Sequence, residues 1–173
     1  MRRVVVAAAA AAALAPAASG AAPSTHVFRI ARVVDGDTVV PTTGARVRLV
    51  QIDTPEVFFG LECWGRQASA ETKRLLPPGT LVRLAAEPAT DRVDRYGRLL
   101  RYVFRVRDGL NVNVFLVRHG DAAPWFYRGR RGRYAAVLQR AAFRARAGHR
   151  GLWSACRDVP VAFDRRVDTG PAT

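Results

Sequence analysis

The stretch VFRIARVVDGDTVVPTTGARVRLVQID, residues 27–53, decides the fold. Residues 27–34 are rich in β-branched side chains, and Asp35-Gly36 supplies turn chemistry before Thr38-Val39-Val40. Thr43-Gly44 makes a second turn. Val47, Leu49 and Gln51 then alternate with Arg48, Val50 and Ile52, the period of two expected of a strand. Outside this stretch, Leu81 to Ala85 is a short strand entered from Pro77-Pro78-Gly79. Leu99 to Val106, carrying Tyr102 and Phe104, is another, closed by Asp108-Gly109. Five strands follow.

Three helical stripes are interleaved with them. Ala68, Thr72, Leu75 and Leu76 recur at helical spacing, and Pro77 and Pro78 stop that helix. Val112, Phe115 and Leu116 form a second stripe ending at Gly120. Tyr134, Val137, Leu138, Ala141 and Ala145 form a third ending at Gly148, with Arg140, Arg144 and Arg146 on its wet side. Strands followed by a helix, a hairpin and two more helices indicate an α+β domain. In so short a chain, a closed or partly open antiparallel barrel would dispose of the sheet edges.

The 173 residues suit one domain and exclude a multidomain enzyme. Lys and Arg number 28 against 14 acids, a formal charge of +14, and Lys73 is the one lysine. A nearly all-guanidinium surface favours polyanionic partners: nucleic acid, anionic lipid or acidic polysaccharide. Residues 1–22 read as a secretory signal peptide. Arg2-Arg3 is the basic start, residues 4–15 are continuously apolar, and small residues follow with cleavage positions after Gly20 or Ala22. An uncleaved anchor is the alternative reading. Removing Arg2 and Arg3 lowers the charge by two, to +12. Residues 23–157 then form the folded domain, and residues 158–173, without periodicity, are expected to be a flexible tail. With no heptad or large unexplained apolar face, a monomer is expected.

Export also bears on the cysteines. In an oxidising compartment, the even count predicts a Cys63–Cys156 disulfide, with two buried thiols as the alternative. Closing a 93-residue loop would stabilise the fold by roughly 4–5 kcal/mol. His26, His119 and His149 are too scattered to form, with these cysteines, a zinc site of ordinary spacing.

Acids are scarce, so their grouping carries information. Asp35-Gly36-Asp37-Thr38 lies at a strand–turn–strand junction, and Asp53-Thr54-Pro55-Glu56 follows an apolar strand. Brought together by neighbouring strands, Asp37 and Asp53 would offer hard oxygen ligands to Ca²⁺ or Mg²⁺. Singly, each group is also ordinary turn or capping chemistry. An EF-hand is excluded, because counting from Asp35 puts Val40 where the loop needs Gly and Arg46 where it needs Glu. Arg48 lies near the proposed metal site, and Asp94-Arg95-Tyr96-Gly97-Arg98 could direct Arg98 into the same cleft. A cation, a carboxylate and guanidinium forks are the groups that phosphodiester hydrolysis needs together.

With these motifs the chain resembles the thermonuclease, or staphylococcal nuclease-like, family. The resemblance spans Val27 to Cys156. It rests on residues 34–38 (VDGDT), 48–56 (RLVQIDTPE), 94–98 (DRYGR), 116–120 (LVRHG) and 151–154 (GLWS), in that order. It implies an OB-type five-stranded barrel with three helices, and a Ca²⁺-dependent phosphodiesterase acting on DNA and RNA to leave 3′-phosphates. By motif position, Asp37 and Asp53 would be carboxylate ligands and Thr54 would offer its backbone carbonyl. Glu56 would hold or deprotonate the attacking water, and Arg48 and Arg98 would stabilise the transition state.

The chain departs from the family at the rim. Arg95-Tyr96 stands where the best-known member has Lys-Tyr, so a phosphate contact changes cation. Trp125-Phe126-Tyr127 replaces the family tyrosines in a shifted register, and Phe126 and Tyr127 are expected to stack on bases. Arg128, Arg130, Arg131 and Arg133 read either as a track for single-stranded backbone or as a solvated loop. Two other functions compete with the nuclease. A non-catalytic OB module that binds single strands has no use for Asp37, Asp53 and Glu56, which repel phosphate without a cation. A binder of surface polyanions explains none of the motif spacing.

Overall fold

The computed structural model describes residues 26–58, 60–157, 159–160 and 162–172; the expected signal peptide, residues 1–22, lies outside them. Five strands close into a barrel: β1 (Val27–Val33), β2 (Thr38–Pro41), β3 (Val47–Leu49), β5 (Leu81–Ala86) and β6 (Leu99–Arg105), in the order β1-β2-β3-β6-β5. A separate two-stranded ribbon joins β4 (Ile52–Asp53) to β7 (Ala123–Pro124). Helix α1 (Gly65–Leu75) lies between β4 and β5. Helices α2 (Val112–His119) and α3 (Ala135–Ala147) follow the barrel, with a one-turn α4 (Leu152–Ala155) after them. The α+β class, the five barrel strands and the three main helices agree with the sequence reading.

One seam corrects the expectation of an all-antiparallel barrel. β3 and β6 run parallel, pairing Val47 with Leu99 and Arg48 with Leu100. The strand that begins at Val47 does not continue past Leu49 as its alternation predicts. Gln51 takes a positive φ of 63°, turning the chain away to β4. The chain returns beside β3 only after α1 and β5, and such a long crossover permits parallel pairing. Gln51 is itself a junction. Its side-chain oxygen accepts from the Tyr102 hydroxyl at 3.1 Å and from the Gly132 amide at 3.0 Å, and its Nε2 donates to the Arg130 carbonyl at 2.7 Å.

Inside the barrel Ile30, Val39, Val47, Leu49, Val82, Leu84 and Val103 are buried together with Leu116, Val117 and Leu138 of α2 and α3. Each such side chain contributes roughly 1.5–3 kcal/mol when removed from water. Asn111 caps α2 by accepting from the Val114 amide, and Gly120, at φ 79°, ends it. A Cβ on Gly120 would lie 2.2 Å from the Arg150 carbonyl oxygen, so the start of α4 packs directly on this turn. The expected disulfide joins Cys63 to Cys156.

The C-terminal segment departs from the expected free tail. Val159 and Val167 are buried beside Leu152, and Phe163 packs edge-on against Phe126. Thr169 Oγ1 donates to the Cys63 carbonyl at 2.7 Å, the Cys63 amide donates to Gly170, and the Ala172 amide donates to Leu61. Isolated apolar anchors and backbone bonds hold this segment, and neither produces a periodic pattern.

Candidate active site

Cross-strand register places the central arginine. On β2 and β3, Thr38 lies opposite Arg48 and Val39 opposite Val47. Because successive side chains on a strand face opposite ways, Val47 and Leu49 enter the core while Arg48 joins Thr38 on the other face. That face is covered too, leaving Arg48 only 5% exposed.

Arg48 is gripped by two acids. Its Nη1 forms an ion pair with Asp37 Oδ1, and its Nη2 donates to Asp53 Oδ1 at 2.5 Å. The second oxygen of Asp37 accepts from both the amide and the hydroxyl of Thr54, each at 3.0 Å. Gly36 permits this approach, since a Cβ there would come within 2.5 Å of the Thr54 hydroxyl. Burial lowers the pKa of Arg48, an effect that Asp53 opposes and the nearby charge of Arg98 reinforces. The guanidinium remains charged, because arginine starts so far above neutrality.

Asp53 arrives on the β4–β7 ribbon, paired with Ala123 and 0% exposed. The same ribbon brings in Trp125, whose amide donates to the Gln51 carbonyl at 3.0 Å. The Arg48 guanidinium lies 5.9 Å from the centre of the Trp125 ring.

The remaining acid and arginine lie on opposite sides of this cluster. Arg98 is half-buried and connected through Thr38. Its Nη1 donates to Thr38 Oγ1 at 3.5 Å, and that hydroxyl donates to Asp37 Oδ1 at 3.3 Å. Asp94 holds it in place, accepting from Arg98 Nε at 2.7 Å and from the Arg98 amide at 2.9 Å. Burial opposes ionisation of Asp94, but the Arg98 and Tyr96 amides and the Arg98 guanidinium more than offset this and lower its pKa. Glu56 is linked through a residue that the motifs do not contain. Arg166 forms an ion pair with Glu56 and donates through Nε to Asp53 Oδ2 at 3.4 Å. The Glu56 amide, in turn, donates to Glu62 Oε2 at 2.9 Å.

The rim residues divide. Arg95 lies over the exposed Tyr96 ring at 4.8 Å, and Arg98 lies 5.4 Å from the same ring. Tyr127 is 51% exposed and meets Trp125 edge-on. Phe126 is a correction. It is 2% exposed in the main core and packs on Phe163, so it presents no face for a base. In an aromatic triplet crossing a turn, the buried member is set by tertiary packing, here Phe163, rather than by local spacing. The Trp125 ring centre lies 5.9 Å from both Arg48 and Arg166, the two arginines that bond Asp53. Arg130 pairs with Asp91, and Arg133 pairs with Glu87.

The donor chemistry fits a hard cation. Two carboxylates converge on a single guanidinium, with Thr54 bonded to one and adjacent in sequence to the other. Among the described residues, no three acidic, histidine or cysteine side chains form a metal-binding group. Asp37, Asp53 and the Thr54 carbonyl are the oxygen donors that this cluster could offer a hard cation such as Ca²⁺. Water or substrate oxygens would fill the rest of its six to eight positions.

The chain is similar in sequence to proteins named as nucleases. Over 135 residues, 76% of this chain and 80% of the relative, the sequence is 37% identical to an uncharacterized endonuclease of Escherichia coli. It is 30% identical over 135 residues to the thermonuclease of Staphylococcus hyicus, covering 75% of this chain and 76% of that one. The thermonuclease of Staphylococcus intermedius is 31% identical over 132 residues, 73% of this chain and 75% of its own. Residues 46–155 match the family described as Staphylococcal nuclease homologue, and the chain belongs to that family.

Proposed function

We propose that this chain is an exported, Ca²⁺-dependent nuclease that hydrolyses phosphodiester bonds in DNA and RNA, leaving 3′-phosphate ends, and that it acts as a monomer. One observation carries the reading: a buried arginine is held between two carboxylates beside Thr54, with a second arginine and a third acid at the edges. A purely binding surface gains nothing from buried acids that repel phosphate.

The roles follow from position. Ca²⁺, when bound, would polarise a phosphoryl oxygen and offset charge on the phosphate. Arg48, locked by Asp37 and Asp53, presents a preorganised positive charge that needs no rearrangement as the transition state forms. Arg98, fixed by Asp94 at the rim, supplies the second guanidinium. Glu56 is the acid at the solvent side, its side chain 34% exposed, and is suited to accept a proton from water or to orient it. Tyr96, Tyr127 and Trp125 give exposed or half-exposed aromatic faces near the arginines. Such faces favour single-stranded or locally melted substrate. Export rests on the sequence of residues 1–22.

The test is digestion of denatured DNA and of RNA, with Ca²⁺ and then with excess chelator. Cleavage in Ca²⁺ that stops in chelator is expected. Equal cleavage in both overturns the metal dependence, and binding without cleavage in either makes the chain a non-catalytic binder.

A further inference from the structure

The active-site arginine that no motif contains comes from the C-terminal segment. That segment is pinned on both sides of the acids. On one side the Phe126 amide donates to the Phe163 carbonyl at 2.6 Å. On the other, Thr169, Gly170 and Ala172 bond to Cys63 and Leu61, and Cys63 is tied by its disulfide to Cys156, just before the segment begins. Arg166 and Val167 lie between these anchors. The Val167 amide donates to Asp53 Oδ2 at 3.0 Å, Arg166 Nε donates to the same oxygen, and Arg166 Nη2 pairs with Glu56.

Charge balance gives this contact its meaning. Arg48 is already committed to Asp37 and Asp53, and Arg166 is the guanidinium paired with Glu56. A divalent cation drawn to Asp53 competes with Arg166 for the same carboxylate charge. Val167 is buried with its amide bonded to Asp53, whereas Arg166 is exposed and its side chain is 52% accessible, so the guanidinium can leave while the strap stays in place.

We infer that Arg166 is a positioning residue of the active site, holding Asp53 and Glu56 in the metal-free protein and exchanging with the divalent cation. The C-terminal strap thereby sets the metal concentration at which the site becomes competent. This inference rests on the nuclease reading. A side chain that must leave before the metal binds weakens apparent affinity by the fraction of molecules in which it has left. An arginine in place in about nine molecules of ten weakens binding about tenfold.

Calorimetric titration of Ca²⁺ into the metal-free protein tests this without using activity. Arg166→Gln is expected to bind Ca²⁺ about tenfold more tightly than the unaltered chain. Arg166→Lys, which keeps the charge and loses the fork, should fall between them. Arg165→Gln removes one charge from the neighbouring position and should change affinity by less than about twofold, as general screening allows. Equal or weaker Ca²⁺ binding by Arg166→Gln, in a protein that still cleaves DNA with Ca²⁺, overturns the exchange and leaves the nuclease standing. A gain as large for Arg165→Gln also overturns it, since net charge would then explain the effect. Absence of Ca²⁺ binding in every variant overturns the nuclease reading and the exchange together.

Discussion

Two arginines flank Trp125, each 5.9 Å from its ring centre, and each bonds Asp53. They reach that position by different means. Arg48 is set by β-sheet register and is buried, with its pKa lowered by burial despite the pull of Asp53. Arg166 comes from an irregular segment and is half-exposed. Burial opposes its charge, but Asp53 and Glu56 outweigh that and raise its pKa. The contrast separates a fixed part of the site from an exchangeable one. Losing Arg48 would strand buried charge, whereas when Arg166 leaves, Glu56 is open to water and the buried Asp53 keeps Arg48 and the Val167 amide.

Glu56→Gln, on the exchangeable side, should show the largest effect of all. If Glu56 handles the proton of the attacking water, turnover should fall by about 10²–10⁴-fold. Stability and substrate binding should stay close to those of the unaltered chain, because the Glu56–Arg166 pair is open to water. Single-turnover cleavage, strand binding in chelator and urea melts check the three quantities. Unchanged turnover would remove Glu56 from the mechanism.

Arg48→Gln should fail on both counts. If Arg48 acts on the phosphate, losing its preorganised charge should lower turnover by about 10²–10³-fold. Leaving Asp37 and Asp53 buried without their partner costs roughly 3–5 kcal/mol. Arg98→Gln provides the control, with a comparable loss of turnover but a change in stability below about 1 kcal/mol, since Asp94 faces water more. If Arg48→Gln melted like the unaltered protein, the distinction between the fixed and exchangeable arginines would collapse.

The same division explains what could be read from the sequence. Arg48 is placed by the β2–β3 register and Asp37 by the turn before β2, which alternation and turn residues encode over a few neighbouring positions, whereas Asp53 also needs its pairing with the distant Ala123. The barrel strands and the helix ends at Pro77 and Gly120 are local in the same way. Gln51 was not legible as a strand break, because its positive φ is held by partners at Tyr102, Arg130 and Gly132, far along the chain. Arg166 was not legible because the segment around it is fixed by single anchors, Val159, Phe163 and Val167, that follow no period. Phe126 and Tyr127 illustrate the limit at neighbouring positions. Phe126→Ala should destabilise the protein by about 3–5 kcal/mol as a core truncation. Tyr127→Ala should leave the melt unchanged and weaken binding of a single strand by about 1–3 kcal/mol. Thermal melts and fluorescence titration with an oligonucleotide in chelator would expose a reversal, which would return Phe126 to the binding face.

The smallest expected effect bears on whether the strap is a unit of its own. Thr169→Val keeps the side chain's shape but removes the donor to the Cys63 carbonyl, a bond of 2.7 Å. One lost hydrogen bond is worth about 1 kcal/mol. How that loss is distributed matters more than its size. Regions held by few contacts open separately from the core, with their own lower free energy. If the strap is such a region, amide exchange should accelerate at Val167 and Gly170 while Val103 of β6, bonded to Asn113 of α2, keeps its protection. Equal acceleration at all three would mean that the strap opens only when the whole barrel does. Arg166 could then still leave Asp53 by rotation of its own side chain, but the segment carrying it would be as permanent as β3, and the comparison would narrow from two regions to two side chains.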